Sequence, residues 1–239
     1  MSMSSSDDGV RAFVAELIGT ALLLAAVVGS GIMGDRLAGG SVAVALLANT
    51  LATGAALVAL ILAFGPISGA HFNPAVSFAV ASQGGLTWGR ACAFTVAQVI
   101  GAVLGVGAAD YMFEEPLYAW SRHARNGLPQ TFSEMVATFG LLAVIWGCSR
   151  RHRGAIPFAV GAYITSAYWF TASTSFANPA VTIARSLTNT FAGIRPADVP
   201  AFVLAQAVGA AAATLLFQWL VPDLPASARE IVVPHKTTG

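Results

Sequence analysis

The run Asn-Pro-Ala-Val occurs twice, at Asn73, Pro74, Ala75 and Val76 and again at Asn178, Pro179, Ala180 and Val181, each copy followed by a small hydroxyl residue, Ser77 or Thr182. An Asn ahead of a Pro reads as a helix start. The Asn side chain caps free backbone N–H groups, and Pro takes the first helical position, where its missing N–H costs nothing. Both starts lie in a chain that is 56% hydrophobic and only 10% charged, whereas soluble proteins carry about a quarter charged residues. That composition predicts a polytopic membrane protein. If both helix starts point toward the middle of a bilayer, their positive dipole ends and two Asn amides meet there. Such a meeting point repels cations and offers hydrogen-bond donors to neutral solutes.

Apolar runs of about 20 residues, the length of a spanning helix, fall at roughly 13–33, 41–64, 88–108, 131–148, 155–171 and 199–220. Two further apolar stretches, 74–82 and 179–188, reach only about 15 Å as helices, half of a hydrocarbon core of about 30 Å. They read as re-entrant half-helices preceded by unwound backbone at 65–72 and 171–177. Unwound chain at membrane depth must line a wet cavity or be buried in protein, because lipid cannot satisfy its polar groups. The carbonyls of Gly69, Ala70, His71, Phe72, Phe176 and Ala177 are candidates for a ladder of acceptors along such a cavity. His71 reads either as a pore-lining donor or as a packed loop residue.

The two halves match beyond this motif. Glu16 and Thr20 parallel Glu134 and Thr138, and Ala97-Gln98-x-x-Gly101-Ala102 parallels Ala205-Gln206-x-x-Gly209-Ala210. Three spans per half force opposite orientations, so the repeat, roughly 11–110 and 130–220, is an inverted one whose related helix ends meet near the midplane. The expected fold is therefore an all-α membrane protein. It has six transmembrane helices and two half-helices in one domain, 1–239, with short tails at 1–10 and 221–239. Glu16 and Glu134 are ionisable groups inside spans, each costly unless hydrogen-bonded. We read them as acceptors for N–H groups of the neighbouring loops, with a proton relay as the alternative. Gly101 with Gly105, and Gly209 with Ala213, predict close helix packing, a dimerising surface being the rival.

Basic residues set orientation: Arg150, Arg151 and Arg153 place the 149–154 loop, and with it both termini, in the cytoplasm. Arg122 and Arg125 weaken the asymmetry, accompanied by Glu114 and Glu115. Residues 1–10, with Asp7 and Asp8, lack the basic start of a signal peptide, so the first span is expected to be retained. A net charge of +1 argues against a nucleic-acid partner. Cys92 and Cys148 read as buried thiols, no spacing suggests a metal site or a cofactor, and no nucleophile stands beside a base near the motifs.

These residues, above all Ser68-Gly69-Ala70-His71-Phe72-Asn73-Pro74-Ala75-Val76, resemble the aquaporin and aquaglyceroporin, or major intrinsic protein, family over nearly the whole chain. The resemblance implies the aquaporin fold, a homotetramer in the cell's inner (plasma) membrane, and one pore per subunit for water or small neutral solutes. In most of this family an Arg follows the second Asn-Pro-Ala and projects into the outer constriction; here that position is Val181. Counting back from the motif asparagines places the other constriction members at Thr53, Ser166 and Ser175. A ring of Thr53, Ser166, Ser175 and Val181 is expected to be wide and uncharged, open to glycerol, urea, boric acid and arsenous acid. The missing Arg also resembles a bacterial subgroup associated with arsenic-resistance operons. Arg185, four residues after Val181, reads as reaching the interface or capping loop carbonyls, with a displaced filter cation as the alternative. Two rival functions stay open: a mainly water-conducting pore, and a proton-coupled transporter using Glu16 or Glu134.

Overall fold

The computed structural model describes residues 5–149 and 152–221, together with Leu224 and Ala228. Arg150, Arg151 and most of the expected tail at 221–239 lie outside the described residues. Among the described residues eight α-helices are delimited, in order α1 (Ser5–Leu37), α2 (Val42–Ser68), α3 (Pro74–Ser82), α4 (Trp88–Met112), α5 (Leu128–Ser149), α6 (Ile156–Phe170), α7 (Pro179–Ala184) and α8 (Val199–Leu220). The fold is the expected all-α one. Helices α1, α2 and α4 carry the first repeat and α5, α6 and α8 the second. Within them α1 packs on α4 and α2 as α5 packs on α8 and α6, while α2 meets α6 across the repeats.

Five of the long helices are by themselves long and apolar enough to cross a membrane. The exception among the expected spans is α6, whose 15 residues reach only about 22 Å. A 3₁₀ turn, Arg153–Ala155, lengthens it at its start. Large side chains such as Leu51, Leu62, Trp169, Leu204, Leu215 and Trp219 are exposed on outward faces, an arrangement suited to lipid rather than water. Cys92 is exposed on such a face and Cys148 is half-buried, which corrects the expectation of two buried thiols. Both are free.

Small residues bring the helices together. A methyl group on Gly101 would run into the Leu17 carbonyl oxygen of α1, and one on Gly209 into the Met135 carbonyl oxygen of α5. The two repeats thus use the same glycine to seat the same helix pair. Into this frame the half-helices insert between the repeats, α3 and α7 each packing on both α4 and α8. Ala75, Val76, Ala79 and Val80 of α3 share a core with Leu141, Leu142, Ile145 and Trp146 of α5. Ala180, Val181 and Ala184 of α7 share one with Leu24, Val27 and Val28 of α1.

Helix α1 starts at Ser5, inside the expected tail at 1–10, and two boundaries that shape the site also differ from expectation. Helix α2 continues through Pro66 to Ser68, so the unwound backbone begins at Gly69 rather than at residue 65. Pro66 removes one helical donor, but the last turn is closed by Gly69, which adopts φ 91° and donates its N–H to the Gly65 carbonyl, a left-handed cap that glycine takes without strain. Helix α7 stops at Ala184 and tightens into a 3₁₀ turn, Arg185–Leu187. The Arg185 carbonyl, which a continuing helix would offer to Asn189, accepts instead from the Ile194 N–H.

Candidate functional site

The chemistry of the repeated motif is local at first. Asn73 and Asn178 sit in extended backbone with their side-chain oxygens accepting from the N–H groups of Ala75 and Ala180, at 2.9 and 3.0 Å, and Pro74 and Pro179 open the helices. That leaves each asparagine's Nδ2 free to reach across. Asn73 donates to the Ala177 carbonyl at 2.8 Å, and Asn178 donates to the Phe72 carbonyl at 2.7 Å. Each asparagine therefore clasps the residue that precedes the other.

The loops leading into the motifs are strained in matching places. Ala70 and Phe72 in one, and Ser175 and Ala177 in the other, all adopt φ near +48°, a region that L-residues avoid at a cost of roughly 1–3 kcal/mol each. The two membrane carboxylates hold them there. Glu16 accepts from the N–H groups of His71 and Phe72, at 2.9 and 2.7 Å. Glu134 accepts from those of Phe176 and Ala177, both at 2.8 Å. Gln98 bridges Glu16 to the Ser77 hydroxyl, and Gln206 bridges Glu134 to the Thr182 hydroxyl. The loop-supporting geometry expected of Glu16 and Glu134 is thus present in both halves. Both carboxylates are fully buried.

Between the two motifs lies one cavity, in which water-sized spheres can be centred over about 90 Å³. One water needs about 10–15 Å³ on that measure, so the cavity holds several. Gly69, Ala70, His71, Phe72, Phe176, Ala177 and both asparagines all border it. So do Thr53, Ser175 and Val181. Ser166 does not: it is exposed, its hydroxyl turned back to the Tyr163 carbonyl at 2.7 Å. Tyr168 borders the cavity instead, with its hydroxyl 3.3 Å from that of Thr53. The periodicity of α6 explains the correction, since Val160, Gly161, Ile164, Ala167 and Tyr168 form its buried face and Ser166 falls off it.

His71 is both pore-lining and packed: its Nδ1 lies 3.0 Å from the Ser77 hydroxyl, and its ring stands edge-on to Phe94. Arg185 does not reach an interface. It is 2% exposed, borders the same cavity, donates Nε to the Ala192 carbonyl, and lays its guanidinium over the Phe176 ring, 3.4 Å from the centroid. The capping of a loop carbonyl was legible; its inward position was not.

A second arginine converges on that ring. Arg125, from the loop between α4 and α5, sits 4.9 Å from the Phe176 centroid and donates to the carbonyls of Gly193 and Ser173. Burial pushes its pKa down to about 10, which leaves it charged at neutral pH.

Comparison with known proteins agrees with this architecture. The family model described as Major intrinsic protein matches residues 3–172. Aquaglyceroporin AqpS of Rhizobium meliloti (strain 1021) is 56% identical over 214 residues, covering 90% of this chain and 91% of the relative. Probable aquaporin PIP2-8 of Oryza sativa subsp. japonica is 33% identical over 152 residues, 61% of this chain and 54% of that one. The X-ray structure of the aquaglyceroporin from Plasmodium falciparum superposes with a TM-score of 0.73 over 91% of this chain and 99% of the other, at 20% identity, a likeness of fold. By the family model and by a relative matched over nearly its whole length, this chain belongs to the Major intrinsic protein family and is a multi-pass membrane protein.

Proposed function

We propose that the chain is a passive channel for small neutral solutes, glycerol, urea, arsenous acid and water among them. The observation that carries this reading is a cavity bordered by both motif asparagines, by both unwound loops and by helices of both repeats. Its walls are mostly apolar, and its polar groups are the kind that exchange hydrogen bonds with a hydroxylic solute. Thr53 and Tyr168 present hydroxyls, while the Ser175 hydroxyl and the His71 Nε2 have no partner among the described residues. Passage requires that wall hydrogen bonds replace a solute's hydration without holding it tightly, and a short file of such groups meets that condition.

Val181, where most of the family carries an arginine, is the reason to expect polyols and metalloid hydroxides in addition to water. The name of the relative AqpS, an aquaglyceroporin, supports the polyol reading. A homotetramer in the inner membrane with both termini in the cytoplasm completes the proposal. The proton-coupled alternative is disfavoured because neither Glu16 nor Glu134 borders the cavity, and both carboxylates are occupied by loop N–H groups and a glutamine.

Proteoliposome swelling tests this reading. Glycerol, urea and arsenous acid gradients should each drive swelling that is unaffected by an imposed pH gradient. Saturating uptake that needs the pH gradient would sink the channel reading. Val181→Arg should cut glycerol flux roughly tenfold, the effect of about 1.4 kcal/mol on a barrier, and water flux by less. Equal loss of both would remove Val181 as the determinant of width.

A further inference from the structure

We propose that Arg185 supplies this pore's positive barrier, one helical turn farther from Asn178 than the arginine most of the family places after the motif, and that it excludes protons and small cations. The proposal rests on the channel reading and adds the group that decides what the channel rejects. Arg185 borders the same cavity as Thr53, Tyr168, Ser175 and Val181. The four-residue step from Val181 keeps it on the same face of the chain as it leaves α7.

Its surroundings explain why the charge addresses the lumen. Nε donates to the Ala192 carbonyl and one face of the guanidinium lies on Phe176, but the terminal amino groups have no hydrogen-bond partner among the described residues. Among the described residues no carboxylate pairs with it. An arginine that is 2% exposed and carries a permanent charge is too costly to leave unsolvated in a protein interior. The cavity is the place where water can solvate it. Its free donors therefore face whatever passes.

Arg125 adds to the field beside the same aromatic ring, 4.9 Å from the centroid, and it too has no ion-pair partner among the described residues. It does not border the cavity. The position in the first repeat that corresponds to Arg185 is Val80, which is fully buried among apolar neighbours. Arg90, which stands over the Phe94 ring near the first loop, does not border the cavity, so among the residues that line it the arginine charge belongs to the second copy alone.

The rival role is purely structural, Arg185 pinning the loop through Ala192. Ion leakage separates the two, because a loosened loop does not by itself create a conductance selective by charge. The full-length protein in proteoliposomes would be assayed for glycerol-driven swelling and, with an entrapped pH-sensitive dye under a potassium diffusion potential, for proton entry. Arg185→Gln should raise proton entry roughly tenfold to a few hundredfold, the weight of one charge about 5 Å away at an effective dielectric of 20 to 40, and glycerol swelling by a smaller factor. Arg185→Lys should stay tight. The double variant Val181→Arg, Arg185→Gln, which returns the charge to the family's usual place, should regain tightness.

Because Arg185→Gln removes a loop contact, Ser175→Asp gives an independent measure. It keeps the arginine in place, sets a carboxylate in the same cavity, and uses a residue type that tolerates positive φ; it should leak protons as well. An inserted, glycerol-permeable Arg185→Gln or Ser175→Asp that remains as proton-tight as wild type would overturn the proposal. Wild-type liposomes that fail to swell in glycerol would instead overturn the channel reading beneath it.

Discussion

The two motif regions share most of their hydrogen bonds, and two of the positions at which their sequences differ carry the contrast between them. Two residues before the motif asparagine, the first copy carries His71 and the second Phe176; seven residues after it, the first carries Val80 and the second Arg185. Most of what holds the loops is shared. The carboxylate, the glutamine that bridges it to a hydroxyl, the left-handed residues and the capped prolines all recur. At one mouth the imidazole bonds Ser77 and keeps Nε2 without a partner among the described residues. At the other, the phenyl ring seats two guanidinium groups. An inverted repeat separates scaffold from selectivity in this way: what must be strong is duplicated, and what must discriminate is not.

The shared part predicts the largest effects. Replacing Glu16 or Glu134 with Gln turns an amide donor toward backbone N–H groups and leaves buried donors unmet, at about 1–3 kcal/mol for each. Both variants should lose most properly inserted protein, measured as the folded fraction recovered from membranes. A harmless substitution at either site would break the equivalence of the halves. The differing part predicts smaller and unlike effects. His71→Phe loses the bond to Ser77, about 1 kcal/mol, and should shift relative water and glycerol permeability with little loss of folded protein. Phe176→His removes the face on which two arginines rest and should lower thermal stability more than His71→Phe does. The reverse order would show that the ring at 176 is not what seats them.

Least affected should be the response to mercurials. Neither Cys92 nor Cys148 borders the cavity, so wild-type flux should be nearly insensitive, while Ser175→Cys should confer block. Strong inhibition of the wild type, abolished by replacing Cys92 or Cys148, would show that one of those thiols controls the pore.

The legible and illegible parts of the site follow the same division. Asn73 and Asn178 announced helix starts because capping is a matter of adjacent residues, and Glu16, Glu134, Gln98 and Gln206 were legible because a repeat displays partners that lie far apart. Tyr168 was missed because counting back from Asn178 assumes a fixed loop length, whereas the chain obeys the phase of α6, whose buried face excludes Ser166. Arg185 was half-read. Its carbonyl cap is local, but its inward course depends on Phe176 and on a loop that returns Ile194 to its backbone. The expected unwinding from residue 65 began too early, because α2 runs through Pro66 and closes on Gly69 three residues later.

The crossed clasp of the asparagines also bears on how the molecule is made. Asn73 and Ala177, like Asn178 and Phe72, lie more than a hundred residues apart in the chain, and contacts of that separation form late. During synthesis the first half emerges with the Asn73 amide and the Phe72 carbonyl awaiting partners that have not yet been translated. The channel's centre cannot be assembled from one half alone, so a partly made or truncated chain has no finished conduit through which the cell could leak.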